Sequence, residues 1–433
     1  MIESFTIQDI RIFKERLFLL LKDEPVFCLL DSCDYYNSKD LNKHPYYHDY
    51  DFVCCFGVQK ILKCDAGNAI QKFQEFQNEN KGEWMFGYFG YDLKNEIEKL
   101  KSENPDETGF DDLFFFVPET VATLKGNELR IYGNSVKLKD VFSDAPVFYS
   151  ENPIISNKIS FKERVSKNSY LEIVEKLRQH IIEGDVYEVS FCQEFFAENL
   201  TINPFDVYQS LGKISPQPFS SFVRIEDKYI IGASMERYLK KMGNKLVSQP
   251  IKGTIRRGND AVEDEKLKDI LLNDEKERAE NVMIVDLVRN DLSRVCKAGT
   301  VNVEELFGIY DFSGVFQMIS TVTGELLPEK NGLDAIKASF PMGSMTGAPK
   351  IMAMQIIEQY ENTKRGVYSG ALGYFAPNGD FDFNVVIRTL LYNASKRYLS
   401  LHVGSAITFD SVPEKEYEEC LVKIKTVLKA LEQ

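Results

Sequence analysis

Leu246-Val-Ser-Gln-Pro-Ile-Lys-Gly-Thr-Ile-Arg-Arg-Gly258 opens as a short alternating strand, breaks at Pro250 and then presents Lys252 directly before a glycine. Proline fixes its own φ and pushes the preceding residue into extended geometry. Gly253 lets the backbone turn or a ligand approach closely. A lysine held this way is placed by its backbone, whereas most lysines trail from solvated faces. Upstream, Ala233-Ser-Met-Glu-Arg-Tyr-Leu239 carries Glu236, and Lys240-Lys-Met-Gly-Asn-Lys245 reads as a hairpin turn with Gly243-Asn244 at its tip. Pairing the two strands brings Glu236 and Lys252 to the same end of one hairpin. On pattern alone, a solvated Lys and Glu on a two-stranded ribbon is the commoner arrangement.

At 433 residues the chain is long enough for one large or two medium cores. Its 44% hydrophobic and 27% charged content is that of a soluble globular enzyme. A net charge of −14 argues against nucleic acid as a partner. No apolar run reaches the ~20 residues that span a bilayer, so no membrane is implied. Glu3 and Asp9 precede any apolar stretch, unlike a signal peptide. The 8 cysteines are scattered without a C-x-x-C pair, as reduced thiols of a cytoplasmic protein would be. A chain this acidic binds an anionic ligand only through locally concentrated cations or a metal.

Residues 1–150 alternate short strands and helices, with a helix expected over Gln8 to Lys22 and a buried strand over Val26 to Ser32. Val141 to Lys167 is punctuated by Ser, Asn and Pro and reads as a connection to a second segment, 151–433. There a helix is expected from the capping box Ser169-x-x-Glu172 to Gly184, followed by a strand over Asp185 to Phe191. A charged helix from about Asp260 to Asn290 places Glu277 and Glu280 on one face, and Glu416 and Glu419 repeat that spacing near the C-terminus. Two such faces can pinch one Mg²⁺, which favours oxygen ligands and keeps several waters. Taken singly, each is more often a solvated face.

Gly343-Ser-Met-Thr-Gly-Ala-Pro-Lys350 superficially suggests a phosphate loop, but its spacing fails the G-x-x-x-x-G-K-[ST] pattern and no nucleotide is implied. Tyr368-Ser-Gly-Ala-Leu-Gly-Tyr374 and Asp382-Phe-Asn-Val-Val-Ile-Arg-Thr389 read as two strands. Arg388, at a strand position, either grips a ligand carboxylate with its fork or makes a structural ion pair. Val403-Gly-Ser-Ala-Ile-Thr408 offers backbone N–H groups at Gly404 and Ser405, suited to a second carboxylate.

Pro250-Ile-Lys-Gly-Thr254 resembles the signature of the aminodeoxychorismate synthase component I family, chorismate-binding enzymes related to anthranilate synthase component I. Relatives that make anthranilate carry Ala at the lysine position. The likeness extends through the long motif Gly343 to Lys350 and through Gly87-Tyr-Phe-Gly-Tyr-Asp-Leu93. Leu29-Leu-Asp-Ser32 is similar to an element that lines a regulatory amino-acid pocket in some members, though a plain core strand fits it as well. The resemblance implies an α+β fold of mixed antiparallel sheets forming a sandwich with helices outside. It implies amination of chorismate at C4 in the p-aminobenzoate branch of folate synthesis, with Lys252 attacking C2 and Glu236 as acid and then base. Burial or neighbouring cations are expected to keep the Lys252 amine neutral. Thr254, Thr346, Tyr368, Arg388, Gly404, Ser405 and Lys350 are implied to bind substrate. Glu280 and Glu419 are implied to coordinate Mg²⁺ directly, and Glu277 and Glu416 through water. Ammonia is expected from a separate glutamine amidotransferase subunit.

Two positions depart from the family pattern: Glu188 stands where Gln is typical and Gln317 where His is usual. Glutamine cannot act as an acid near neutral pH, which puts a proton-transfer role at 317 in doubt. His44, His48 and His180 are remote from the motifs, and His402 lies two residues before Gly404. Anthranilate synthase component I is the nearest rival, disfavoured because Lys252 occupies the space where ammonia would reach C2. Isochorismate and salicylate synthases are further off for the same reason. A non-catalytic effector-binding homologue is the rival from another class, motivated by Glu188 and Gln317.

Overall fold

The run Val26-Phe-Cys-Leu-Leu-Asp31 is apolar at five successive positions because both of its faces are covered. Phe27 and Leu29 point into one core, Val26 and Cys28 into another, the period of two that a pleated strand imposes. Phe52–Phe56 divides the same way, with Phe52, Cys54 and Phe56 on one side and Val53 and Cys55 on the other. In the computed structural model, which describes residues 2–33, 48–142 and 159–432, these strands belong to a 12-stranded antiparallel sheet, and a second antiparallel sheet has 10 strands. One core joins Cys28, Val53, Val223 and Ile230 of the first sheet to Phe86, Tyr88, Phe114 and Leu239 of the second. The other face of the first sheet is closed by helices, through Phe13 and Leu17 of Ile10–Leu21, Tyr170 and Val174 of Lys167–Glu183, and Tyr417 and Ile424 of Pro413–Lys429. The fold is thus the expected α+β arrangement of antiparallel sheets with helices outside.

Both sheets take strands from either side of residue 150. Val26–Asp31 pairs with Phe219–Ile225, and Met85–Phe89 with Ala371–Phe375. The boundary at 150 and most of the expected connection, and also His44, lie outside the described residues.

Several element ends differ from expectation for local reasons. The helix Lys167–Glu183 is capped by Ser166, whose hydroxyl oxygen accepts from the Ser169 N–H at 3.2 Å, so Ser169 lies inside the first turn. Gly184, at φ +86, closes it as expected. The single charged helix is two, Ala261–Asn273 and Glu275–Ser293. Asp274 between them turns its carboxylate onto the Glu277 N–H at 3.0 Å and caps the second. The strand expected over 185–191 begins at Glu188 and runs to Ala197.

What builds the site is a pair of crossings between the sheets. Lys228–Ser234 belongs to the first sheet and Arg237–Met242 to the second, whereas Phe381–Val385 belongs to the second and Thr389–Asn393 to the first. The crossings lie side by side: the Ala233 N–H donates to the Arg388 carbonyl at 3.1 Å, the Val385 N–H to the Glu236 carbonyl at 3.0 Å, and the Ser234 hydroxyl to the Val385 carbonyl at 2.7 Å. Glu236 and Arg388 therefore stand where the chain changes sheet. Arg388 has φ +53, a left-handed conformation that costs roughly 1 kcal/mol or more for a non-glycine residue. It is not on a strand, as the reading of Asp382 to Thr389 expected, but at the break between two.

Candidate active site

Lys252 owes its placement to a bulge. Its strand, Ile251–Arg256, pairs with Val315–Glu325, and the register shifts between Ile251 and Thr254, leaving Lys252 and Gly253 outside the ladder. Gly253 sits at φ +101, and a Cβ there would meet Met318 at 3.1 Å and Glu277 at 3.3 Å. The Lys252 carbonyl accepts from the Asn281 side-chain amide at 3.2 Å, and Asn281 Oδ1 accepts from the Ser320 hydroxyl at 2.6 Å. The helix Glu275–Ser293 thereby fixes the bulge. Lys252 Nζ donates to Glu188 Oε1 at 2.6 Å, with the lysine side chain 11% exposed and the carboxylate not at all.

Glu188, uninterpreted in the sequence, is thus the direct partner of the key amine. Burial pushes that amine down, but Glu188, then Glu280 and Glu236, outweigh it and hold it above the usual lysine range. Of the two expected sources of a neutral amine, burial acts in that direction but does not prevail, and neighbouring cations are replaced by carboxylates. Glu236 is 5% exposed, and burial raises its carboxyl to about 7 against the pull of Lys252 and the Ile251 N–H.

Lys252 and Glu236 share a cavity of about 480 Å³, within the range of small-molecule sites. Glu277, Glu280, Glu416 and Glu419 also line it, so the two helices carrying them meet there. Burial raises Glu280 to about 7 and pushes Glu277 and Glu416 up as well. Burial opposes ionisation of Glu419 too, but the Lys423 ammonium at 2.5 Å prevails and holds it low. Among the described residues, the group whose ligand atoms all lie within 4.8 Å of one another is His180, Glu183 and Asp185, on an outer surface. The four glutamates do not form so closed a set.

Of the other expected substrate contacts, Thr254, Tyr368, Arg388, Gly404 and Ser405 line the cavity. Arg388 donates from Nη1 to the Lys423 carbonyl at 3.0 Å, which aims its fork. Gly404 and Ser405 belong to the strand Tyr398–Ile407, whose pairing with Thr389–Asn393 stops at Leu401. Beyond that point one edge of the strand lies open to the cavity. Thr346 and Lys350 are corrections. Thr346 is fully buried and its hydroxyl donates to the Met342 and Gly343 carbonyls, closing its own turn. Lys350 is tied to Asp291 and the Ser339 carbonyl. Its place among the site cations is taken by Lys276 and Lys423, both on the cavity wall. Lys423 follows Glu419 by four residues, a helical spacing legible in the sequence. Gln317 accepts from the Thr254 hydroxyl at 2.7 Å, and His402 stacks on Tyr368 with centroids 5.2 Å apart. Asp31 and Ser32 border a separate cavity of about 60 Å³, with Asp31 paired to Lys14.

A buried amine, a carboxyl near neutrality and a wall of further carboxylates facing an arginine make this the site of an enzyme that handles a small anion. The profile of the chorismate binding enzyme family matches residues 37–429. The chain belongs to that family, as a chorismate-utilising enzyme of the anthranilate synthase component I type. It is 37% identical over 359 residues to anthranilate synthase component 1 of Thermus thermophilus, covering 80% of this chain and 77% of that one. It is 35% identical over 376 residues to aminodeoxychorismate synthase component 1 of Bacillus subtilis, covering 83% and 78%. The solved structure of anthranilate synthase component I from Streptococcus pneumoniae superposes with a TM-score of 0.77 at 29% identity, over 87% of this chain and 91% of that one.

Proposed function

We propose that this chain aminates chorismate at C4, giving 4-amino-4-deoxychorismate for p-aminobenzoate and folate synthesis. The observation that carries the reading is the Lys252 amine, held on a bulge at the cavity where anthranilate-forming relatives carry Ala. The amine attacks C2, the ring double bond shifts, and the C4–O bond breaks. Glu236 gives its proton to the departing hydroxyl, which leaves as water. Ammonia then bonds to C4, the C2–N bond breaks, and Glu236 takes a proton from the new ammonium. The sum is chorismate plus ammonia giving the amino product plus water. Arg388 and the open edge at Gly404 and Ser405 receive the two carboxylates, with Thr254 and Tyr368 flanking the ring.

Glu280 and Glu419, with Glu277 and Glu416 through water, are the residues that would hold Mg²⁺. The donors are all carboxylate oxygens, and Glu280 Oε1 is buried without a hydrogen-bond partner. A cation that keeps several waters does not need a closed cage. When bound, Mg²⁺ orients the ring carboxylate and disperses its charge. Ammonia would be delivered by a glutamine amidotransferase subunit.

Anthranilate synthesis is the second reading, favoured by the names of several relatives. Incubating the full chain with chorismate, Mg²⁺ and ammonium, and identifying the product by mass spectrometry and chromatography, decides between them. The expected product is 4-amino-4-deoxychorismate; anthranilate or isochorismate overturns the reading.

A further inference from the structure

We infer that Glu188 is a catalytic residue of this site, accepting the Lys252 proton before the C2–N bond forms and returning it when the cycle closes. The inference rests on the reading of Lys252 as the nucleophile. An ammonium has no lone pair to attack with, so one proton must leave Nζ. Lys252 is faced by Glu188 from the strand Glu188–Ala197, by Glu236 at the sheet crossing, by Glu280 and Glu277 from the helix Glu275–Ser293 and by Glu419 from the helix Pro413–Lys429. Of these, Glu188 is its hydrogen-bond partner among the described residues, at 2.6 Å.

The acceptor is rigid. Glu188 pairs with Ala348, and a Cβ on the adjoining Gly347 would stand 2.0 Å from the Glu188 carbonyl oxygen, so the two backbones are in direct contact. The Tyr187 N–H donates to Ala348 O and the Ser190 N–H to Thr346 O, clamping both flanks. The second carboxylate oxygen, Oε2, is buried without a hydrogen-bond partner, so no other protein group there claims the charge.

Proton transfer converts an ammonium–carboxylate pair into an amine and a carboxylic acid, both neutral, which relieves the desolvation cost of two buried charges. The Nζ–H bond breaks and the Oε1–H bond forms, with no external base. After ammonia has displaced the lysine, the free amine takes the proton back from Glu188, so the residue is unchanged over a turnover. Glutamine, usual here in the family, presents the same shape but cannot hold that proton.

The test is a single turnover of full-length protein with chorismate and no ammonia. Adduct on the Lys252 peptide is followed by mass spectrometry between pH 5 and 6, below the value of about 7 to which burial raises Glu236, so that this acid keeps its proton. In wild type the rate is expected to be level across this range. Glu188→Gln is expected to slow it at least about 100-fold at pH 6 and to impose a rise of about tenfold per pH unit, because the proton must leave to solvent. Glu188→Asp, which keeps a carboxylate, should recover part of the rate. A Glu188→Gln rate and profile equal to or above wild type overturns the role.

A second measurement does not involve chorismate. Acetylation of Lys252 by acetic anhydride should be at least about tenfold faster at pH 8 in Glu188→Gln, because removing the facing anion frees the amine. Unchanged labelling means the pair does not form in solution and also overturns the inference. If labelling shifts but wild type forms no adduct, the nucleophile reading has failed, and the proposed role falls with it.

Discussion

Lys350 Nζ donates to Asp291 Oδ2 at 2.6 Å and to the Ser339 carbonyl at 2.8 Å, with the two side chains only 9% and 3% exposed. The long motif ending in Lys350 thus anchors a helix start and a turn to the helix Glu275–Ser293, one of the two that carry the cavity glutamates. Removing one member leaves the other charged and buried, which costs about 3–5 kcal/mol. Lys350→Met should therefore lower the melting temperature strongly, and Lys350→Met with Asp291→Leu should recover most of it. A stable Lys350→Met protein with only a raised KM for chorismate would return the lysine to the substrate.

Glu236 supplies the clearest pH dependence. Its carboxyl is raised to about 7 by burial, and its role as acid needs the protonated form. Adduct formation without ammonia, which removes the ammonium equilibrium from the measurement, should fall as pH rises through about 7. Glu236→Gln should slow the step by about 10²–10⁴-fold and erase that descending limb. A limb that persists in Glu236→Gln belongs to another group.

How much of this was readable depends on what sets each feature. The apolar run Val26–Asp31 and the Gly243 turn are local, and the sequence displays them directly. The bulge at Lys252 is announced by Pro250 and Gly253 on either side. Arg388 is different: nothing in Asp382 to Thr389 marks a change of sheet, because both sheets demand the same apolar, extended residues. Glu188 stands 64 residues from Lys252, and only tertiary pairing brings a buried acid to a buried base. Thr346 and Lys350 misled because a hydroxyl and an amine beside glycines suit a turn and its anchor as well as a ligand.

Glu280 links metal binding to stability. Its folded carboxyl lies near 7 against an ordinary 4.5, so the native state binds the proton more tightly. That stabilisation is fully present below about 4.5 and is lost as pH rises through about 7. Ionised Glu280 then costs at most about 3 kcal/mol. In chelator, Glu280→Gln should melt higher than wild type at pH 8 and at the same temperature at pH 4. Millimolar Mg²⁺ should raise the wild-type melting temperature and leave Glu280→Gln unmoved, while Glu280→Gln and Glu419→Gln each lose turnover. Full activity in excess EDTA would exclude the site.

The chain's source of nitrogen is checked by substrate choice. All 8 cysteines are free, and none lines the main cavity except Cys192, whose thiol burial raises to about 12. A thiol so hard to ionise is a poor nucleophile. Ammonium at high pH should support product formation by the isolated chain, whereas glutamine alone should not. Equal rates with the two would show that no partner subunit is needed.

Lys252 itself decides between the two amination chemistries. An intramolecular amine gains an effective molarity that free ammonia cannot match, on the order of 10⁵ M or more in favourable cases. Lys252→Ala should therefore suppress C4 amination sharply while the protein stays folded, since the bulge is held through the Lys252 carbonyl and Asn281 and not through the amine. The truncation also leaves Glu188 unpaired in a buried position, which costs part of the stability. Space opens beside C2, so slow amination there, the anthranilate-type outcome, is expected to emerge. Lys252→Arg should be no better than Ala at C4: a guanidinium keeps its ion pair with Glu188 but stays protonated and cannot attack. Product analysis of both variants beside wild type reads this directly. Wild-type rates of C4 amination in Lys252→Ala would make the lysine a binding residue and leave Glu188 as no more than its counter-ion.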